Sequence, residues 1–287
     1  MIKKITLKNS VKIINNEYVV KHKNTSLFET FNYLLSRSFD YFPEVISERE
    51  EEMVYKYIED ISEPSEQKII DLMNLLSLLH SKTTIYKEID IDNYKLIYEN
   101  ISNQIIECYN YYSNLIDEID MIVYMSPVDY IVARNISLIF SSLEYARDGI
   151  ERWYQLIKDK RQVRVVTIHN NASLDHYVKN DKSYLVSWDR ATVDMPIYDL
   201  INVYKKHYLE FDFVTIFKVY FSKYPFLEEE MLLFLSILAI PDKIRYYDSQ
   251  YQMVVEVRRL LDYIYKTGEI IREYGKNEKL TKEDIHK

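Results

Sequence analysis

The pattern of hydrophobic and polar positions changes character near residue 60. Before it, Lys4–Leu7 and Val11–Ile14 alternate or run apolar, Asn15 and Asn16 form a turn signal, and Glu17–Lys21 (EYVVK) is rich in β-formers. Leu27, Phe28, Phe31, Leu34 and Leu35 then recur at helical spacing, with Thr25 or Ser26 available as the cap. Pro43 ends that segment, and Met53–Ile58 (MVYKYI) returns to strand. From Pro64 onward helical periodicity takes over. Ile69, Leu72, Met73, Leu76 and Leu79 make one stripe ending near His80, which reads as a helix-terminal residue complementing the dipole. Further helices are predicted over Ile91–Tyr124, Pro127–Ile157, Pro196–Phe221, Leu227–Ala239 and Tyr251–Tyr274. A β-rich island, Val163–Ile168 and Tyr184–Trp188, interrupts them, its two halves parted by a polar turn at Lys179–Lys182. The expectation is an α+β chain, β-rich over 1–60 and mainly helical over 61–287, with no repeat of a solenoid kind.

Composition narrows the classes. With 287 residues, 47% of them hydrophobic and 29% charged, the chain can bury a sizeable core and has no disordered character. Its longest apolar run, Met231–Ile240, has ten residues, is interrupted by Ser236 and follows Glu228, Glu229 and Glu230, so no membrane span is expected. The opening MIKKITLKNS is basic but lacks the apolar core of a secretory signal. A single cysteine, Cys108, reads as a small buried residue and agrees with a reducing compartment, so the cytoplasm is the expected location. Thirty-seven basic against 45 acidic side chains leave a net charge of −8, which disfavours a nucleic-acid partner. The one compact basic run, Lys158–Arg164, reads as a solvated loop before a strand. Only Gly149, Gly268 and Gly275 are glycines, so the first 148 residues hold no glycine-dependent phosphate loop. The 28 tyrosines read as packing residues.

Four segments, in order, carry a resemblance: EYVVK with Glu29 on the following helix, FPEVISEREEEMVYKYIED, LMNLLSLLHSKT, and VVTIHNNASLDHYVKNDKSYLVSWDRATVDMPIYDL. Together they resemble the aminoglycoside phosphotransferase and choline kinase family, and the likeness covers nearly the whole chain. It implies a protein-kinase-like fold of two lobes, a small β-rich N-terminal one and a larger helical one. It also implies that Lys21 binds nucleotide phosphates and pairs with Glu29, that the FPEV segment leads into the adenine-contacting hinge, and that His169 braces the catalytic loop. A looser similarity to kinase-like proteins of bacterial spore coats rests on the spacing of Asp189, Asp194 and Asp199.

The same resemblance places three catalytic positions. The family's aspartate base falls on Asn171, its metal-binding asparagine on His176, and its strand aspartate on Ser187. An asparagine holds a hydroxyl but takes no proton from it, and loss of a general base costs on the order of 10²–10⁴-fold in rate. Serine is a poor Mg²⁺ ligand beside carboxylate. The expectation is therefore a pseudokinase, a binding or scaffold protein with no metal, no required cofactor and at most weak, metal-independent nucleotide binding. Its partner would be a protein or small molecule in the inter-lobe cleft. Two alternatives stand beside it: an active phosphotransferase rescued by Asp175 or Asp189, the latter on the same strand face as Ser187, and a structural protein of a bacterial surface or spore layer. A zinc site from His169, Asp175 and His176 matches no common ligand spacing.

Overall fold

In the computed structural model, which describes residues 5–8, 11–22, 27–48 and 52–275, the chain begins with strands β1 (Ile5–Lys8), β2 (Val11–Ile14) and β3 (Tyr18–His22). Helix α1 (Phe28–Ser36) follows, then β4 (Val45–Glu48) and β5 (Glu52–Lys56). These strands form one antiparallel sheet in the order β1-β2-β3-β5-β4. Asn15 and Asn16 turn β2 into β3 with φ of 54° and 55°, a left-handed conformation that asparagine tolerates better than most residues. Residue 27, not 25 or 26, precedes α1; Thr25 and Ser26 lie outside the described residues.

The remainder is mostly helical: α2 (Ser65–Thr83), β6 (Ile85–Glu88), α3 (Ile91–Asp120), α4 (Pro127–Ile157), β7 (Gln162–Ile168), β8 (Tyr177–Lys179), β9 (Ser183–Leu185), β10 (Thr192–Asp194), α5 (Ile197–His207), α6 (Phe213–Phe221), α7 (Glu228–Leu238) and α8 (Gln250–Tyr274). The expected helix over 196–221 is broken. Its second part starts afresh after Asp212, whose carboxylate accepts the Val214 N–H at 3.0 Å. None of the described helices is long and apolar enough to cross a membrane.

The chain gathers into two compact units. The first comprises Met1–Ile85, Arg164–Lys206 and Thr215–Pro225, and so holds the five-stranded sheet, α1, α2 and the β8–β9 hairpin. Its centre is an aromatic cluster in which Phe31 stacks on Phe42 at 4.4 Å and Trp188 meets Phe31, Phe39 and Phe42 edge-on at 6.1–6.2 Å. The second comprises Tyr86–Val163, His207–Val214 and Phe226–Lys287, where α4 packs against α3, α7 and α8. A Cβ at Gly149 would collide with the Ser236 hydroxyl, so glycine is what lets α4 and α7 approach there. Cys108 is buried in this unit, donates to the Pro241 carbonyl at 3.3 Å and has its thiol pushed up to about 11 by burial.

The expected strand over 184–188 ends at Leu185. Ser187 takes the left-handed conformation (φ 69°) and Trp188–Arg190 form a single 3₁₀ turn. The indole explains the change: Trp188 is buried in the aromatic cluster and its N–H donates to the Leu185 carbonyl at 2.8 Å, which requires the chain to fold back. Positions 187 and 189 therefore do not share a strand face, contrary to the expectation.

Candidate functional site

All the residues of interest lie in the first unit, and those that line the cleft come together near the ends of β3, β7 and β9, whereas Glu29 does not join them. Strand β7 delivers the chain into the loop beginning at His169, and one carboxylate fixes that loop. Asp199, buried in the first turn of α5, accepts the His169 N–H at 2.8 Å, the Asn170 N–H at 2.7 Å and the His80 Nε2–H at 3.2 Å. It thereby holds Asn170 at positive φ (54°) and ties α2, the loop and α5 together. His80 lies in the last turn of α2, as its position in the sequence suggested, and its ring also meets the Asp199 carboxylate. It is fully buried, with Nδ1 at 2.7 Å from the Tyr220 hydroxyl.

Further along the loop, the His176 Nδ1–H donates to the Asn171 carbonyl at 2.7 Å, closing the segment into a compact turn. Burial lowers the His176 pKa, and nearby Lys206 adds to that, against the opposing carbonyl bond. His169 lies behind. Its Nε2–H donates to the Val186 carbonyl at 3.0 Å, its ring meets Trp188 edge-on at 4.8 Å, and Nδ1 is buried with no partner.

In front of this loop is a cleft of about 560 Å³ lined by Lys21, Asn171, Asp175, His176, Ser187 and Asp189, among others. The Lys21 ammonium donates to the Ser187 hydroxyl at 2.7 Å and lies 3.6 Å from the Asp189 carboxylate. Glu29, expected to pair with Lys21, is instead exposed at the start of α1, and the ion pair Lys21 makes is with Asp189. A larger cavity of about 830 Å³ between α1 and the turn of the β8–β9 hairpin contains none of these candidate residues, so chemistry rather than size marks the smaller cleft.

The fold has known counterparts. The chain is similar to an aminoglycoside phosphotransferase from Alicyclobacillus acidocaldarius, with a TM-score of 0.73 and 9% identity over 96% of this chain and 92% of that one. This chain has the aminoglycoside phosphotransferase fold. It is also similar to an AMP-bound spectinomycin phosphotransferase, with a TM-score of 0.52 and 12% identity over 92% of each chain. No protein-family model matches the sequence, and no curated protein does. The shared fold thus rests on structure at identities where sequence comparison finds nothing.

Within this phosphotransferase fold, the groups at the cleft make a poor Mg²⁺ donor set. Mg²⁺ demands near-octahedral oxygen ligation, usually with one or two carboxylates. Here the Ser187 oxygen is turned to an ammonium, Asp189 faces the same ammonium, Asp175 is exposed, and the Nδ1–H of His176 is committed to a carbonyl. No three His, Cys, Asp or Glu side chains gather as metal ligands among the described residues. The His80–Asp199–Tyr220 network was not among the sequence-based expectations. The usable signal was a histidine and an aspartate each set among apolar residues on a helix, LLHS and IYDL, where a charged group must find a buried partner.

Burial pushes the His169 imidazole down to about 4 from 6.5, despite the opposing field of Asp199. Above pH 6.5 both folded and unfolded chains hold it neutral. As pH falls from 6.5 toward 4, the unfolded chain binds a proton that the folded chain refuses, so stability falls with it. The expected loss from this group is about 3 kcal/mol. Denaturant midpoints measured across that window should fall for the wild type and fall less for His169→Gln; identical slopes would refute the assignment.

Proposed function

We propose that the protein is a cytoplasmic pseudokinase of the aminoglycoside phosphotransferase and choline kinase type, a binding or scaffold protein with no phosphoryl transfer of its own. The observation that carries this reading is the 2.7 Å hydrogen bond from Lys21 to Ser187. Where the family places a metal-binding carboxylate, a neutral hydroxyl is turned toward the phosphate-binding lysine. Phosphoryl transfer depends on metal ions to neutralise developing charge, and neither Asn171 nor His176 supplies the base or ligand at its own position. The loop beside the cleft is held by hydrogen bonds and ring contacts of Asp199, His169 and Trp188. On this reading the cleft accepts a small ligand, including a nucleotide bound weakly and without Mg²⁺.

A second reading, an active small-molecule phosphotransferase, has one observation in its favour: Asp189 lies beside Lys21 and is more than a third exposed, so a metal could reach it. Substrate-stimulated ADP release separates the two. With ATP, Mg²⁺ and a panel of aminoglycosides, choline-like amines and amino sugars, no release above background is expected. Release abolished by Asp189→Ala would establish the second reading instead.

A further inference from the structure

The connection between α3 and α4 stands apart among the described residues. Met121, Ile122, Val123, Tyr124 and Met125 are five consecutive apolar residues with no polar break, and all are exposed: 83%, 42%, 87%, 91% and 42%. Scattered exposed apolar residues are ordinary, but a contiguous run at the tip of a projecting element marks an interaction surface. In a surface loop such a run is a liability unless something covers it.

The tip is also held rigidly. At its start the Met121 and Ile122 N–H groups donate to the Glu118 and Ile119 carbonyls at 3.2 and 3.0 Å. At its end Ser126 and Asp129 form a reciprocal capping box: the Ser126 hydroxyl accepts the Asp129 N–H at 3.2 Å and the Asp129 carboxylate accepts the Ser126 N–H at 3.0 Å. Directly beneath, Ile119, Val128 and Val132 are buried, so α3 and α4 stay packed up to the tip. A preorganised apolar knob loses little freedom on binding. Helices of 30 and 31 residues carry it, each about 45 Å long.

Charge says what receives it. From residue 96 to 133 the chain contains no lysine, arginine or histidine, whereas Asp117, Glu118, Asp120 and Asp129 flank the tip. An acidic collar repels an anionic lipid surface, and two such tips repel one another. We propose that residues 121–125 dock into a partner protein whose surface offers an apolar pocket rimmed by lysine and arginine. Val123 and Tyr124, the most exposed of the five, are the anchors, and the acids orient the encounter. The inference is independent of the cleft and stands whether or not the cleft turns over a substrate.

The probe is a fluorescent synthetic amphipathic helix built of leucine and lysine, titrated with the full chain at physiological salt. The double variant Val123→Asp/Tyr124→Asp adds two negative charges, so purely electrostatic binding would tighten. Docking of the apolar tip predicts the reverse, a loss of about tenfold or more in affinity, with an unchanged melting temperature because both side chains are exposed. Equal or tighter binding by the variant, or no binding by the wild type, overturns the proposal. So does tip-dependent sedimentation of the wild type with phosphatidylcholine or phosphatidylcholine/phosphatidylserine vesicles, which would make the target a membrane. Self-association lost in the variant would make it a second copy of this chain and equally contradict the proposal.

Discussion

Asp199→Ala is expected to cost the fold about 3–5 kcal/mol, the loss typical of removing one partner from a buried charged network. The residue is fully buried and accepts two backbone N–H groups and one imidazole N–H, and alanine leaves all three donors without a partner. A thermal scan should show a drop on the order of 10 °C. Asp199→Asn keeps the volume and one acceptor and is expected to lose less. The exposed Asp189→Asn should change stability by less than about 1 kcal/mol, because its pairing with Lys21 is screened. If Asp199→Ala melts with the wild type, the carboxylate is not what holds the loop.

The triple substitution Asn171→Asp, His176→Asn and Ser187→Asp should create the Mg²⁺-dependent nucleotide binding that the proposed pseudokinase would lack. The backbone is suited to the change. Ser187 sits at φ 69°, and aspartate is among the residues most tolerant of that conformation. A carboxylate there would face the Lys21 ammonium now bonded to the serine hydroxyl at 2.7 Å. At 176, the asparagine amide can replace the imidazole N–H that donates to the residue 171 carbonyl. With ATP and Mg²⁺ at about a hundredfold above the dissociation constant, the variant should gain about 2.7 kcal/mol, a rise of several degrees in melting temperature. An unchanged melting temperature in a folded triple variant would contradict the proposal that the residues at these three positions are what keep the cleft from holding Mg²⁺ and nucleotide.

The long helices were the most legible part of the fold. The starts of α3 and α4 follow from Asp90, whose carboxylate accepts two N–H groups, and from the Ser126-Pro127 pair that opens a capping box. Strands such as β8 and β10 were not legible. At three residues each they carry no periodicity, and they exist because a partner strand is present. The segment Val186-Ser187-Trp188 alternates apolar and polar and so reads as strand. Burial of the indole overrides that pattern and turns the backbone at Ser187. Of the candidate site, the roles expected of Lys21 and Ser187 came only from the family resemblance, which did not foretell their contact across 166 positions. The pairing of Lys21 with Glu29 also came from that resemblance, and the lysine turns to Asp189 instead. His80 and Asp199 are 119 positions apart, and each alone looks like an ordinary polar residue near a helix end.

Calorimetric titration of ATP into the wild-type protein, with and without saturating Mg²⁺, tests the central claim most directly. On the proposed reading, a serine turned to Lys21 gives the metal no anionic seat, so the two isotherms should coincide, with weak binding or none. Tight binding that appears only with Mg²⁺, and disappears in Asp189→Ala, would contradict it.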